Sequence, residues 1–170
     1  MKLEFSFENI FLPKQTKPIH SFVTQFTGGK SDCIVDCISP VETAGNKFSA
    51  LLWRISIRDR TAKPGTVSND PAMIRHLHDL SALENLAVSD NSFIESVHLS
   101  IKKDFGRSGS KIDNNFQNMA KEALEQLKAD PIYKAEYTRF VAAMSYAPDD
   151  ESIDFETALA SFERIAGLLI

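Results

Sequence analysis

The stretch "SPVETAGNKFSALLWRISIRD", residues 39–59, contains the clearest helix signal in the chain. Ser39 is suited to the N-cap, Pro40 to the first helical position and Glu42 to the third, the pattern of a capping box. Apolar residues then recur at helical spacing, so the sequence predicts one amphipathic helix over residues 40–59. The buried face of this predicted helix consists of Val41, Ala44, Phe48, Leu51, Leu52 and Ile55.

Three cations lie along one flank of that face. Lys47, Arg54 and Arg58 are spaced so that, at about 100° per residue, they fall within roughly 40° of one another. Such a row is a candidate phosphate-binding stripe, because charge-assisted hydrogen bonds to phosphate are strong. The alternative is that the three side chains only extend to water beside the core. Spacing alone favours this second interpretation.

The segment before the helix, "GGKSDCIVDCIS" at residues 28–39, predicts a turn and then a strand over residues 33–38. Asp32 and Asp36 would share a face of that strand at a separation of about 13 Å, too far to hold one metal ion. The two cysteines of the strand are equally far apart, which excludes a disulfide between them. A further strand is predicted over residues 2–7.

A loop follows the first helix, and a second helix is predicted to begin at Asp70 with "DPAMIRHLHDLSALENLA". Arg75 and Asp79 are four residues apart and would share a face of it. His76 and His78 would point roughly 200° apart, so they cannot chelate one ion from this helix.

Four more helices are predicted, which gives about six after a strand-containing N-terminal quarter and an α+β fold. Their predicted N-caps are Ser92, Asp113, Asp130 and Asp154. The helix after Asp130 has a predicted apolar stripe that consists of Ile132, Tyr133, Tyr137, Phe140, Val141 and Met144.

The composition is that of an ordinary globular protein, with 43% hydrophobic and 25% charged residues among 170. The net charge of −4 argues against a chain that binds nucleic acid over its whole surface. No apolar run approaches the roughly 18 residues of a membrane span, and the N-terminus does not read as a signal peptide. With two cysteines and no secretory signal, the sequence predicts a cytoplasmic protein with reduced thiols.

The two helices after residue 38 resemble the latter half of the AbiEii/AbiGii nucleotidyltransferase toxins. In that family one helix carries K-x6-R and the next carries R-x-x-x-D-L, which here are Lys47 to Arg54 and Arg75 to Asp79. The segments "DPIYKAEYTRFVAAMSY" and "IDFETALASFERI" resemble the family's C-terminus. The resemblance runs from about Lys2 to the end of the chain.

The resemblance implies transfer of a nucleotide from an NTP held with Mg²⁺, with RNA such as tRNA as the acceptor, as in the related MenT toxins. It implies catalytic roles for Lys47 and Asp79, the latter as a base or as an orienter of the lysine. It implies phosphate binding by Lys47, Arg54, Arg58 and Arg75. The implied fold is like that of DNA polymerase β, in which a small nucleotidyltransferase sheet is joined to a helical part.

That fold would divide the chain into the end of a nucleotidyltransferase-like unit, residues 1–60, and a helical domain, residues 61–170. The family's metal motif, G-[GS] followed about ten residues later by [DE]-x-[DE], has no counterpart here, because Asp32 follows the glycines too soon. Asn46 also stands where the family usually has an acidic residue.

We therefore expect that this chain alone binds no metal and is inactive without a missing N-terminal half. The alternative is a non-catalytic helical module that binds a cognate antitoxin or a partner subunit. A homodimer is left open, and no contact with a membrane is expected.

Overall fold

In the part of the chain that the structure describes, a small two-stranded sheet precedes a bundle of six helices, so the α+β class predicted from the sequence is confirmed. The computed structural model of the protein describes residues 9–104, 115–144 and 152–169. The strands are β1 (Gln15–Ile19) and β2 (Cys33–Cys37), with the short helix α1 (Phe22–Thr27) between them. The bundle helices are α2 (Pro40–Ser56), α3 (Arg75–Ser89), α4 (Ser92–Asp104), α5 (Phe116–Ala129), α6 (Pro131–Met144) and α7 (Phe155–Gly167).

The sheet is antiparallel, with a register that runs from Gln15 opposite Cys37 to Ile19 opposite Cys33. The strand over residues 33–37 is where the sequence predicts one, and both of its cysteines are free thiols. Strand β1 was not predicted, because "QTKPI" contains a proline and lacks an apolar alternation. The strand predicted over residues 2–7 lies outside the described residues.

Helix α2 begins where the capping signal predicts, but the prediction that Glu42 completes a capping box is wrong. The Ser39 hydroxyl accepts a hydrogen bond from the Val41 amide at 3.2 Å. Glu42, however, is buried, and its two carboxylate oxygens accept from the amides of Phe11 at 3.0 Å and Leu12 at 2.8 Å. Glu42 therefore tethers the N-terminal segment to α2 and does not cap its own helix. The helix ends at Ser56, three residues before the predicted end.

Helix α2 lies at the centre of the bundle and packs against α3, α4 and α5. Its buried face supplies Phe48, Leu51 and Leu52, which share one core cluster with Leu77 of α3 and Phe162 of α7. This core runs across residue 60, and the division of the chain there into two domains stays a prediction.

Helices α2 and α4 approach each other very closely at Gly45. A Cβ atom built at this position would lie 2.3 Å from Ser96 Oγ and 2.9 Å from the Ser96 carbonyl carbon. Further small polar residues continue the contact, since the Ser100 hydroxyl bonds to the Asn46 side-chain oxygen at 3.1 Å. This close approach depends on having no side chain at position 45.

The remaining helices follow the predicted order with local differences. A 3₁₀ turn, Pro71–Ile74, precedes α3 and is capped by Asp70, whose carboxylate accepts from the Ala72 amide. Asn115 caps α5, whereas the predicted cap Asp113 lies outside the described residues. In α6, Tyr133 and Tyr137 are buried as predicted, but Ile132 is exposed, so its assignment to the apolar stripe was wrong. Asp154 caps α7 as predicted.

The loop between α2 and the 3₁₀ turn is fixed to α6 by an ion-pair network. Arg58 pairs with Glu136 at 2.5 Å, and both side chains are almost fully buried. Arg60 pairs with Asp130 at 2.6 Å and with Glu136 at 3.0 Å, and its guanidinium lies over the Tyr133 ring. Among the described residues, no helix is long and apolar enough to cross a bilayer.

Substitution Gly45→Ala should lower the free energy of unfolding by about 1–3 kcal/mol, the usual cost of overpacking. Alanine gains up to about 1 kcal/mol in helix propensity, but the clash with the backbone of Ser96 outweighs it. Gly167→Ala is the matched control, because a Cβ there meets nothing within 4 Å. Urea unfolding of both variants checks this, and equal stabilities would contradict it.

Candidate anion-binding pocket

The two helices that carry the predicted site residues are joined by an ion pair. Lys47 on α2 places its Nζ 2.6 Å from Asp79 Oδ2 on α3, with the two side chains 29% and 33% exposed. Among the residues that the structure describes, Asp79 pairs with Lys47 and not with Arg75 of its own helix. Lys47 and Asp79, to which the family resemblance gives catalytic roles, therefore meet across the helix–helix interface.

A cavity of about 370 Å³ opens beside this ion pair, at the junction of α2, α3 and α4. That volume falls in the range of small-molecule sites. The cavity is markedly basic, since four of its lining side chains are cations. The polar lining consists of Lys47, Arg54, Arg75, Lys103, Thr43, Asn46, His76 and Asp104.

The cations reach the cavity from three different helices. Lys47 and Arg54 lie two turns apart on α2, Arg75 begins α3, and Lys103 lies in the last turn of α4. The Arg54 guanidinium donates to the Val67 carbonyl oxygen at 2.9 Å and lies 4.7 Å over the Trp53 ring. Cations held on separate rigid helices form a positive cavity before any ligand arrives, which suits an anion.

Arg58 does not belong to this pocket, although the sequence placed it in the same stripe. It lies beyond the end of α2, and its guanidinium donates to the Asp70 carbonyl oxygen at 2.6 Å and to Glu136 at 2.5 Å. The helical spacing that grouped it with Lys47 stops applying at Ser56. Arg58 is therefore buried in a structural ion pair with Glu136 of α6 and does not line the cavity.

The acidic group of the pocket is Asp104, the last residue of α4. It is buried, and its carboxylate accepts a hydrogen bond from the Ser49 hydroxyl at 2.5 Å. Because Ser49 lies on α2, this bond closes the α2–α4 contact at the floor of the pocket.

His76 lies in the pocket wall and stays uncharged. Only 9% of the residue is exposed, and its Nδ1 is buried with no hydrogen-bond partner in the described part of the chain. Burial, followed by the positive charges of Lys47 and Arg75, lowers the pKa of His76 from the ordinary 6.5 to about 4. His78 is not part of the cavity lining: it packs against the rings of Tyr137 and Phe140, with its Nδ1 4.0 Å from Asp79 Oδ1.

Sequence reasoning missed Lys103, Asp104 and His76 as members of the pocket. Lys102 and Lys103 are adjacent in the last turn of α4, and the sequence does not indicate which of the two faces α2. The signal that was available is the row of small residues on α2 and α4, which brings the end of α4 against the cationic flank.

The family model described as "Nucleotidyl transferase AbiEii toxin, Type IV TA system" matches residues 1–161. The chain belongs to the AbiEii family. No curated protein and no solved structure matches it. The family is one of toxins from toxin–antitoxin systems, and the segment matched contains every residue of the pocket just described.

The depressed pKa of His76 should make this AbiEii-family protein less stable in mild acid. The unfolded chain takes up a proton near pH 6.5 and the folded pocket only near pH 4, so stability is complete above pH 6.5 and is lost as the pH falls. Between pH 8 and pH 5 this one residue should cost about 2 kcal/mol.

Urea unfolding at the two pH values checks this, with His76→Gln expected to lose about 2 kcal/mol less than the parent protein. His98→Gln is the control, because His98 is exposed on α4 and packs on Phe116 away from the pocket. The same pH dependence in the parent protein and in His76→Gln would contradict the assignment.

Proposed function

We propose that this chain is the part of an AbiEii-like nucleotidyltransferase that binds the phosphates of an NTP and positions them for transfer to an RNA acceptor such as tRNA. The observation that carries the proposal is the basic cavity between α2, α3 and α4, with Lys47 held at its edge by Asp79. The family gives the reaction class, and the cavity supports a place for the phosphates.

The charges of the cavity suit a triphosphate. Lys47, Arg54, Arg75 and Lys103 line it, and its one lining carboxylate among the described residues, Asp104, is engaged by the Ser49 hydroxyl. Arginine and lysine donors give a phosphate chain charge-assisted hydrogen bonds that are about twice as strong as neutral ones. Placed before the ligand binds, they also stabilise charge that develops on the phosphates during transfer.

Asp79 acts in this proposal as the orienter of Lys47. Its carboxylate is not part of the cavity lining but holds the ammonium at 2.6 Å. An ion pair of this kind fixes the long lysine side chain in one position, so less side-chain entropy is lost when phosphate binds. This favours positioning over proton abstraction as the role of Asp79.

The Mg²⁺ that the family resemblance implies does not fit the described residues. No group of three or more His, Cys, Asp or Glu side chains among them is arranged to hold a metal ion. The sequence likewise lacks the [DE]-x-[DE] motif at the family's spacing. We therefore assign the phosphates to the pocket and no metal-dependent step to this chain.

A second candidate function is that of an interaction module for a cognate antitoxin or another partner subunit. The observation that favours it is the N-terminal unit, where α1 has no buried residue. Phe22 is 81% exposed and Phe26 90% exposed, and Ile34 of β2 is also exposed. Large apolar side chains exposed on α1 and β2 suit a docking surface, for a partner or for a second copy of the chain.

Sodium tripolyphosphate should bind to the purified protein and change the fluorescence of Trp53, the single tryptophan, which lines the pocket. Lys47→Met and Arg75→Met should each weaken binding roughly tenfold or more, because each removes a charge-assisted bond. Lys128→Met removes the same charge from a surface pair with Glu163 and should leave the affinity unchanged. Equal affinity in all three variants would refute the phosphate site.

The chain alone should not attach labelled nucleotide to tRNA when supplied with NTPs and Mg²⁺, because its sequence lacks the family's metal-binding carboxylate pair. The matched reaction uses Asp79→Asn, which keeps the size of the side chain and removes its charge. Labelled tRNA formed by the parent protein and not by Asp79→Asn would show that this chain is a complete transferase.

A further inference from the structure

His76 is a polar residue of the pocket with a ring nitrogen that finds no partner in the described part of the chain. His76 is nine-tenths buried in the first turn of α3, lines the cavity, and has a buried Nδ1 without a partner in the described residues. Buried polar atoms are almost always paired, so each orphan in a native fold needs an explanation. Because the imidazole also lines the cavity, a ligand that enters and turns the ring slightly gives this buried nitrogen a partner.

We propose that His76 is a further ligand-binding residue of this pocket, whose imidazole hydrogen-bonds the phosphate chain that the surrounding cations attract. This inference rests on the proposed function. It adds the neutral imidazole of His76 to the charged lysine and arginine donors of the cavity. A neutral imidazole carries one N–H, which donates to a phosphate oxygen.

The charges around His76 determine what happens when the ligand binds. Lys47 and Arg54 face it from α2, Arg75 and Asp79 belong to its own helix, and Lys103 and Asp104 come from α4. While the cavity is empty, burial and then the nearby cations disfavour the imidazolium form. A polyphosphate neutralises those cations and adds negative charge, so the bound state favours protonation.

Ligand binding is therefore coupled to proton uptake at His76. The sign follows from linkage: the affinity is level above the pKa of the bound-state imidazole and rises as the pH falls through it. The ligand's own protonation works in the opposite sense, so the effect of His76 is the difference between the parent protein and a variant that lacks the imidazole.

The purely structural alternative makes the reverse prediction. If His76 only fills space between α2 and α3, a ligand in the cavity leaves its protonation unchanged. The titration of the imidazole itself separates the two, and it is measured in the unmodified protein, so the test does not depend on whether a variant folds.

The experiment follows the Cε1–H signals of the four histidines by NMR across pH 4–8, with and without saturating sodium tripolyphosphate. The His76 signal is assigned by its loss in His76→Gln. Without tripolyphosphate it should titrate below pH 5, and with it the midpoint should rise by about one unit or more, a tenfold change in proton affinity. The Cε1–H signal of the exposed His98 is the internal control, and tripolyphosphate should leave it unchanged at each pH.

His76→Gln should also weaken tripolyphosphate binding, and by about fivefold more at pH 4 than at pH 7, because a one-unit rise from a pKa of about 4 increases the affinity only as the pH approaches that value. Binding that depends on Lys47 but leaves the His76 titration unchanged would overturn this inference and leave the phosphate site standing. If tripolyphosphate binds no better to the parent protein than to Lys47→Met, both the phosphate site and the role of His76 are refuted.

Discussion

The contact between α2 and α4 is the constraint on which the rest of the structure depends. At Gly45 the two helices leave no room for a side chain, and the nearest atoms include backbone as well as the Ser96 hydroxyl. A change at position 96 alone therefore cannot make space for a larger residue at 45. Because the helices are this close, Ser49 can reach Asp104 at 2.5 Å, and the basic end of α4 joins the cationic flank of α2.

Most of the helical architecture could be predicted from the sequence, because capping residues and apolar spacing act over a few residues. Ser39, Asp70 and Asp154 cap where their local signals say. Long-range partners could not be predicted in this way. Glu42 fits a capping box by spacing, but the amides of residues 11 and 12 compete for its carboxylate from outside the helix. Strand β1 likewise exists through its pairing with β2 and carries no local signal.

The site was predictable only where its residues share a helix or a family motif. Helical spacing placed Lys47 and Arg54 on one flank of α2, and the family resemblance gave them a functional role and suggested the Lys47–Asp79 contact across helices. Arg58 was grouped with them by a periodicity that extends past the end of the helix, whereas a buried carboxylate on α6 determines its position. Lys103 and His76 needed the packing of three helices to be known, which no spacing in one helix contains.

The tether at Glu42 links two parts of the molecule mechanically. Glu42, Lys47 and Arg54 all belong to α2. At 1.5 Å per residue, Lys47 lies about 8 Å and Arg54 about 18 Å along the helix from Glu42. The N-terminal unit is therefore bonded to the start of α2, and two of the pocket's cations lie further along the same helix. A force can act on the exposed aromatic residues of that unit without breaking the two hydrogen bonds to Glu42. Such a force turns α2. Because Glu42 and the two cations belong to the same helix, a movement of α2 reaches them without any contact between helices.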